Sequence, residues 1–257
     1  RGHGPGLVLL HPVGLDASFW DDVAVLLSTT HRIIAVDLPG HGDSDVPAPS
    51  PGLADLARDV AELTEVIGLP PVTVIGCSLG GMVAQAMALD RPDHVAALVL
   101  ANTSHDRDQA SRNALHQRAA RARPGMSAII DETLERWFDE GFRSAYPERV
   151  SMMRAKLERA DSVVHAWMWQ AIADLDHGDR LRTVTQPSLV VSGTNDRSVP
   201  AAATAALAAV LPFATRAEVQ GAGHLTPFER PQEFADIVRI FLAEKGKTTN
   251  NNREGQR

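Results

Sequence analysis

A serine, an aspartate and a histidine stand in three short, glycine-containing motifs along the chain. Ser78 lies at the centre of Gly76-Cys-Ser-Leu-Gly80, Asp196 ends a Gly-Thr-Asn-Asp motif, and His224 ends a Gly-Ala-Gly-His motif. A serine hydroxyl becomes a nucleophile when a histidine can take its proton and an acid fixes the orientation of that histidine. We therefore interpret Ser78 as a candidate nucleophile, His224 as a candidate base and Asp196 as a candidate orienting acid for acyl transfer.

Each motif also has a simpler interpretation when it is taken alone. The Gly-x-Ser-x-Gly motif could be a turn without chemistry, and Asp196 could only cap a turn. His224 is one of ten histidines and could lie on the surface. The three motifs together favour the catalytic interpretation, because each is expected to follow a predicted strand and so to reach the same edge of a parallel sheet.

The sequence around Ser78 predicts a strand, a tight turn and a helix. An apolar, β-branched run over 72–75 precedes the turn, and apolar residues at helical spacing follow it over 79–89. Ser78 would then occupy a strained turn, with Gly76 and Gly80 on either side where a Cβ would crowd the neighbouring strand and helix. The first N–H groups of the helix would point at the atom that Ser78 attacks.

The rest of the chain alternates apolar strand patterns with amphipathic helix patterns, which predicts an α/β fold with a mostly parallel sheet flanked by helices. The expected strands, apart from the one before Ser78, are 7–11, 32–37, 95–100, 188–192 and 216–220. The alternation stops between 104 and 184, where no strand-like run occurs, and this predicts a helical cap inserted before the last two strands. The expected domains are 1–103 and 185–245 for the core, 104–184 for the cap and 246–257 for a disordered tail.

Composition restricts the function further. The 257 residues carry a formal net charge of −7 and no basic stripe or polybasic patch, so neither nucleic acid nor a membrane surface is an expected partner. The single cysteine excludes an intramolecular disulfide, and no Cys/His cluster has the spacing of a zinc site. We expect a cytoplasmic protein that acts on a small molecule without metal or cofactor. The oligomeric state stays open.

These motifs resemble the α/β-hydrolase superfamily over almost the whole chain, including His11-Pro-Val-Gly and Asp37-Leu-Pro-Gly-His-Gly-Asp-Ser. The order Ser, Asp, His is also the order of that superfamily. The resemblance implies the triad roles given above and an oxyanion hole made of the backbone N–H groups of Val13 and Leu79. Pro12, which precedes Val13, departs from the family pattern, and its ring stiffens this loop and removes one N–H.

The predicted cap is similar to the insertion of 3-oxoadipate enol-lactonases, in particular at Glu135-Arg-Trp-Phe138. This resemblance implies a cofactor-free hydrolase of a small carboxylated lactone or ester. A carbon–carbon bond hydrolase, an esterase or perhydrolase, and a non-catalytic ligand receptor on the same fold remain alternatives. Trp137, Arg136 and Trp167 are candidate substrate contacts. The cap begins with a basic stretch that could attract an anion, formed by Arg107, Arg112, Arg118, Arg121 and Arg123.

Overall fold

A single six-stranded sheet forms the centre of the molecule in the computed structural model, which describes the backbone of residues 1–254 and the side chains of residues 1–245. All neighbouring strands are parallel, in the order β2-β1-β3-β4-β5-β6. The strands are β1 (Gly6–Leu10), β2 (Arg32–Val36), β3 (Val72–Cys77), β4 (Val95–Ala101), β5 (Ser188–Gly193) and β6 (Ala214–Val219). The expected α/β fold is confirmed, and each strand begins and ends within two residues of its expected position.

Burial explains why these segments form central strands. Every residue of β1, β3 and β5 is buried, as expected when helices cover both faces of a parallel sheet. Successive residues of β1 enter different hydrophobic clusters, with Leu7 and Leu9 in one and Val8 and Leu10 in the other. Strands β2 and β6 lie at the two edges and keep several exposed residues. The core is therefore divided into two layers, one on each face of the sheet.

Eleven α-helices and several short 3-10 turns lie between the strands and after the last strand in the described part of the chain. The helices are α1 (Asp21–Leu27), α2 (Leu53–Val66), α3 (Leu79–Asp90), α4 (Gln109–Ala122), α5 (Ile130–Trp137), α6 (Glu140–Ala145), α7 (Pro147–Arg159), α8 (Ser162–Ala173), α9 (Ala201–Val210), α10 (Thr226–Glu229) and α11 (Pro231–Glu254). None of these helices is long and apolar enough to cross a bilayer.

Residues 104–184, all of them described, form α4–α8 with turns and one isolated bridge between Asp106 and Asp176. These helices do not bury their apolar faces only against one another. Phe138 and Met153 join the hydrophobic cluster that contains one face of the sheet, and Val164 and Met168 join the other. The segment is helical as expected, while the domain boundaries at 103/104 and 184/185 stay a prediction.

The last helix is longer than the sequence predicts. The expected disordered tail begins at residue 246, whereas α11 continues to Glu254. Gly246 lies within this helix, and a glycine in a helix interior costs only about 1 kcal/mol and does not interrupt the backbone hydrogen bonds. The remainder of the predicted tail, 255–257, lies outside the described residues.

Candidate active site

Ser78 occupies the turn between β3 and α3 with φ 53° and ψ −114°, a positive φ that non-glycine residues rarely adopt. The turn is tight because β3, α3 and β1 approach one another closely. A Cβ at Gly76 would lie within 3.0 Å of the backbone of Gly80, and a Cβ at Gly80 would lie equally close to the backbone of Leu10. Both glycines are thus required by backbone contact, and the turn directs the serine side chain out of the carboxyl end of β3.

The three predicted triad residues meet at this edge of the sheet. The Oγ atom of Ser78 lies 3.1 Å from Nε2 of His224, and Nδ1 of His224 lies 2.9 Å from Oδ2 of Asp196. Because the carboxylate only accepts, Nδ1 carries the proton and donates it, which leaves the Nε2 lone pair facing the serine hydroxyl. This is the arrangement that proton transfer from a serine to a histidine requires.

Asp196 is held by several donors besides the imidazole. It accepts hydrogen bonds from the backbone N–H groups of Ser198 (2.7 Å) and Val199 (3.0 Å) and from the side-chain amide of Asn102 (3.0 Å). Burial raises the pKa of the Asp196 carboxyl, but the adjacent His224 and these hydrogen bonds outweigh burial and hold the pKa below its ordinary value. The carboxylate is therefore ionised at neutral pH and can stabilise a positive charge on His224.

Asn102 is a site residue that sequence reasoning did not select. It follows β4 with φ 49°, and its side-chain amide donates both to Asp196 and to the carbonyl of Gly223 (3.2 Å). Its neighbour Thr103 donates its hydroxyl to the carbonyl of Ser78 (2.8 Å). Both positions follow a buried strand at the same sheet edge as the triad, and this placement is the signal that could have identified them.

The two N–H groups expected to form an oxyanion hole are unoccupied by protein acceptors. Neither the N–H of Val13 nor that of Leu79 donates a hydrogen bond to another described residue. The loop that carries Val13 is fixed by His11, whose Nε2 accepts from the N–H of Leu38 (3.0 Å) and whose Nδ1 donates to the carbonyl of Pro12 (2.8 Å). Burial, with a smaller effect of His41, lowers the pKa of His11 to about 3, so this imidazole is neutral.

A cavity of about 550 Å³ opens over Ser78 and His224 beneath the helices of residues 104–184. Its wall contains three arginines, and they differ in their partners. Arg118 pairs with Glu132 (2.6 Å) and lies over the ring of Trp169, with 4.8 Å between its guanidinium carbon and the ring centre. Arg107 donates to the hydroxyl of Ser104 and a backbone carbonyl. The apolar wall of the cavity contains Val13, Met82, Ala114, Leu115, Trp137, Ile172, Val199, Pro200 and Ala203.

Arg136 is different from the other two arginines. Arg136 lines the same cavity, and its guanidinium makes no hydrogen bond or close ion pair with a described residue, although the carboxylate of Glu132 attracts it at longer range. Of the other arginines in the basic stretch, Arg112 donates to the carbonyls at the end of α8, and Arg121 pairs with Glu132 at the surface. Arg112, Arg121 and Arg123 do not line the cavity. Of the three cavity arginines, Arg136 is therefore the one whose guanidinium makes no direct polar contact with a described residue.

One of the predicted substrate contacts is placed elsewhere. Trp137 and Arg136 line the cavity with Ser78, but Trp167 lines a separate cavity between α8 and the loop before α2. Two residues along a helix correspond to a rotation of about 200°, so Trp167 and Trp169 point to opposite sides of α8. Trp169 is the tryptophan of this helix that reaches the catalytic cavity, and its indole N–H donates to Nε2 of His165 (2.8 Å).

Among the described residues, no group of three His, Cys, Asp or Glu side chains is arranged to hold a metal ion.

Comparison with known proteins agrees with this fold. The model of the α/β hydrolase family matches residues 7–237, and the chain belongs to this family.

Among curated proteins, the chain is similar to (E)-2-((N-methylformamido)methylene)succinate hydrolase of Acinetobacter baylyi, with 28% identity over 94% of this chain and 92% of that protein. It is also similar to 3-oxoadipate enol-lactonase 2 of the same organism, with 28% identity over 93% of this chain and 88% of that protein. Among solved structures, a malate-bound thermophilic esterase from Thermogutta terrifontis superposes with a TM-score of 0.90 at 28% identity, over 95% of this chain and 92% of that one.

Proposed function

We propose that this protein is a serine hydrolase of a small ester or lactone that carries a free carboxylate, with Ser78 as nucleophile, His224 as base and Asp196 as orienting acid. The observation that carries the proposal is the continuous path from Ser78 Oγ through the imidazole to Asp196, with steps of 3.1 and 2.9 Å, open to a cavity. We expect the reaction to need neither metal nor cofactor and to take place in the cytoplasm.

The geometry supports the following sequence of steps. Ser78 Oγ attacks the carbonyl carbon of the substrate while Nε2 of His224 takes the hydroxyl proton, and Asp196 stabilises the imidazolium that forms. The carbonyl oxygen becomes an oxyanion, which the free N–H groups of Val13 and Leu79 can bind. The imidazolium then returns the proton to the leaving oxygen. A water molecule, deprotonated by His224, hydrolyses the acyl-enzyme and releases Ser78.

The unpaired Arg136 supports the carboxylated substrate class. A guanidinium group can bind a carboxylate through two parallel hydrogen bonds, and a partly buried site strengthens this interaction. The names of the similar proteins point in the same direction, since they mention a succinate derivative, 3-oxoadipate enol-lactone and bound malate. We propose 3-oxoadipate enol-lactone as the first substrate to test.

The proposal is tested by turnover of this lactone and of a p-nitrophenyl ester, together with labelling by a fluorophosphonate. Ser78→Ala and His224→Ala should each lose roughly 10⁴- to 10⁶-fold in kcat, because triad members act as a unit. Labelling should be confined to Ser78 and absent from the alanine variant. A Ser78→Ala variant that keeps a tenth of the activity would refute the mechanism, and rapid labelling without multiple turnover would favour a ligand receptor.

A further inference from the structure

A buried carboxylate lies directly beneath the turn that carries His224. Glu229 is the last residue of α10, and only 6% of it is exposed. Its Oε2 atom accepts a hydrogen bond from the N–H of Gly223 (2.9 Å), and its Oε1 atom accepts one from the N–H of Leu225 (3.1 Å). One side chain thus binds the backbone immediately before and immediately after His224.

The two hydrogen bonds together favour an ionised carboxylate. A carboxylate accepts strongly through both oxygens, whereas an amide replaces one acceptor with an NH2 donor and a protonated acid keeps only a weak acceptor on its hydroxyl oxygen. In either neutral form, one of the two hydrogen bonds would be lost or weakened. An N–H left without a partner in a buried position is unfavourable, so the turn would have to move to find another acceptor.

We propose that Glu229 is a positioning residue of the active site: its ionised carboxylate holds the His224 turn where the imidazole bridges Ser78 and Asp196. This inference rests on the proposed function, because it concerns the placement of the proposed base. The other hydrogen bonds that hold the His224 turn involve neutral groups. The N–H of His224 donates to the carbonyl of Trp137 (2.8 Å). Asn102 and Thr226 both donate to the carbonyl of Gly223. Glu229 is the member of this set that can change its charge.

The surroundings of Glu229 place this change near neutral pH. Burial raises the pKa of Glu229 to about 7, opposed by the two backbone N–H groups and Arg230, while Asp139 at the start of α6 raises it further. On the side of the sheet, the titratable groups that face Glu229 are Cys77 and the triad residues. Burial, together with Asp196 and Glu229, raises the pKa of the Cys77 thiol, so Cys77 stays neutral. We therefore expect the turn to be fixed above pH 7 and loosened below it.

The test compares the wild type with Glu229→Gln, using p-nitrophenyl acetate between pH 5.5 and 8.5. Glutamine resembles the protonated acid in shape and charge, so the ratio of wild-type to variant kcat should be near one at pH 5.5. It should rise through pH 7 to a plateau of roughly 10- to 100-fold, because a displacement of about 1 Å in a catalytic group can cost that much. KM should change by less than about threefold, since the substitution affects chemistry rather than binding.

The matched control is Glu233→Gln, which removes the same charge from an exposed position one turn further along the chain. Its ratio to the wild type should stay near one at every pH. A Glu229→Gln ratio that is large but constant with pH would show a purely structural role and overturn the inference. A ratio of one throughout would overturn it as well. If either of these results overturns the inference, the Ser78→Ala and His224→Ala variants decide the proposed function separately. Inactive variants would leave the proposed function standing, whereas active variants would refute it.

A measurement on the wild type covers the case in which Glu229→Gln does not fold. The backbone amide resonances of Gly223 and Leu225 should shift together in NMR spectra, with a common midpoint near pH 7, because both amides donate to the titrating carboxylate. Resonances that do not shift between pH 5.5 and 8.5 would overturn the inference without any variant.

Discussion

The charge of a cavity arginine is available to a substrate only if no protein group already neutralises it. Arg118 is committed to Glu132, to the hydroxyl of Thr133 and to the face of Trp169. Arg136 lines the same cavity without such a partner among the described residues. A substrate carboxylate would gain more from Arg136, because it would not have to compete with an existing ion pair.

We predict that Arg136→Met lowers kcat/KM for a carboxylated enol-lactone roughly 10- to 100-fold, since a charge-assisted hydrogen-bonded pair contributes about 1.5–3 kcal/mol. Methionine keeps much of the side-chain length and removes the charge. The carboxamide analogue of the lactone should be hydrolysed equally by wild type and variant, because it offers no negative charge to Arg136.

The control for this prediction is Arg123→Met, which removes a cation from an exposed position outside the cavity. It should leave both rates within about twofold of the wild type, because exposed charges are screened by solvent. If Arg136→Met lowers the rate of the carboxamide as much as that of the carboxylate, Arg136 does not recognise the anion.

At the scale of elements, the site depends on how closely α3 approaches β1. Gly80 lies within α3, and intrinsic helix propensity predicts that alanine would stabilise this position by about 1 kcal/mol. The contact opposes this, because a Cβ at Gly80 would overlap backbone atoms of Leu10, which cannot rotate away. Either β1 or α3 must shift; α3 begins directly after Ser78, and β1 leads into the loop that carries Val13.

We predict that Gly80→Ala destabilises the protein by about 2 kcal/mol or more, since overpacking commonly costs about 1–3 kcal/mol and here the clash is with backbone. The measurement is the free energy of unfolding in guanidinium chloride. Gly125→Ala is the control, because no atom lies within 4 Å of a Cβ at Gly125 and its φ of 161° suits any residue. The control should change stability by less than about 0.5 kcal/mol. A Gly80→Ala variant more stable than the wild type would show that propensity outweighs the contact.

The elements differ in how well sequence predicts them. The strands were predictable because buried parallel strands are continuous apolar runs. The Ser78 turn was predictable because Gly76 and Gly80 stand two positions before and after the serine. The inward-facing tryptophan was not, because Trp167 and Trp169 are both apolar and only the packing of α8 decides which one faces the cavity. Glu229 was missed because its contacts with Gly223 and Leu225 arise from the folding of a short turn that has no characteristic sequence.

At the scale of the whole molecule, buried histidines couple stability to pH. Burial is the main cause that lowers the pKa to about 3 in His11 and His165 and to about 4 in His177. In the unfolded chain each would titrate near its ordinary value of about 6.5. Between pH 6.5 and 4.5 the unfolded state therefore binds three protons that the folded state does not, and stability falls as the pH falls.

Glu229 acts with the opposite sign in nearly the same range. Its pKa rises on folding from 4.5 to about 7, so between these values the folded state holds a proton that the unfolded state has lost. This contribution increases stability as the pH falls. Among these four groups the three histidines exceed the single glutamate by about two protons, and His31 and His41, whose pKa values burial also lowers, act in the same direction as the other histidines. Each proton corresponds to about 1.4 kcal/mol per pH unit, which gives a net loss on the order of 3 kcal/mol per unit.

We predict that the free energy of unfolding, measured with urea, decreases by about 3 kcal/mol between pH 6 and pH 5, a large part of the 5–15 kcal/mol typical of folded proteins. His177→Gln should reduce this slope by about 1.4 kcal/mol per pH unit, because glutamine does not titrate and its amide can replace the hydrogen bond from His177 to Gln85. His3→Gln, at an exposed position, is the matched control and should keep the wild-type slope. If stability is constant between pH 6 and pH 5, or if His177→Gln retains the full slope, burial of neutral histidines does not determine the acid sensitivity of this protein.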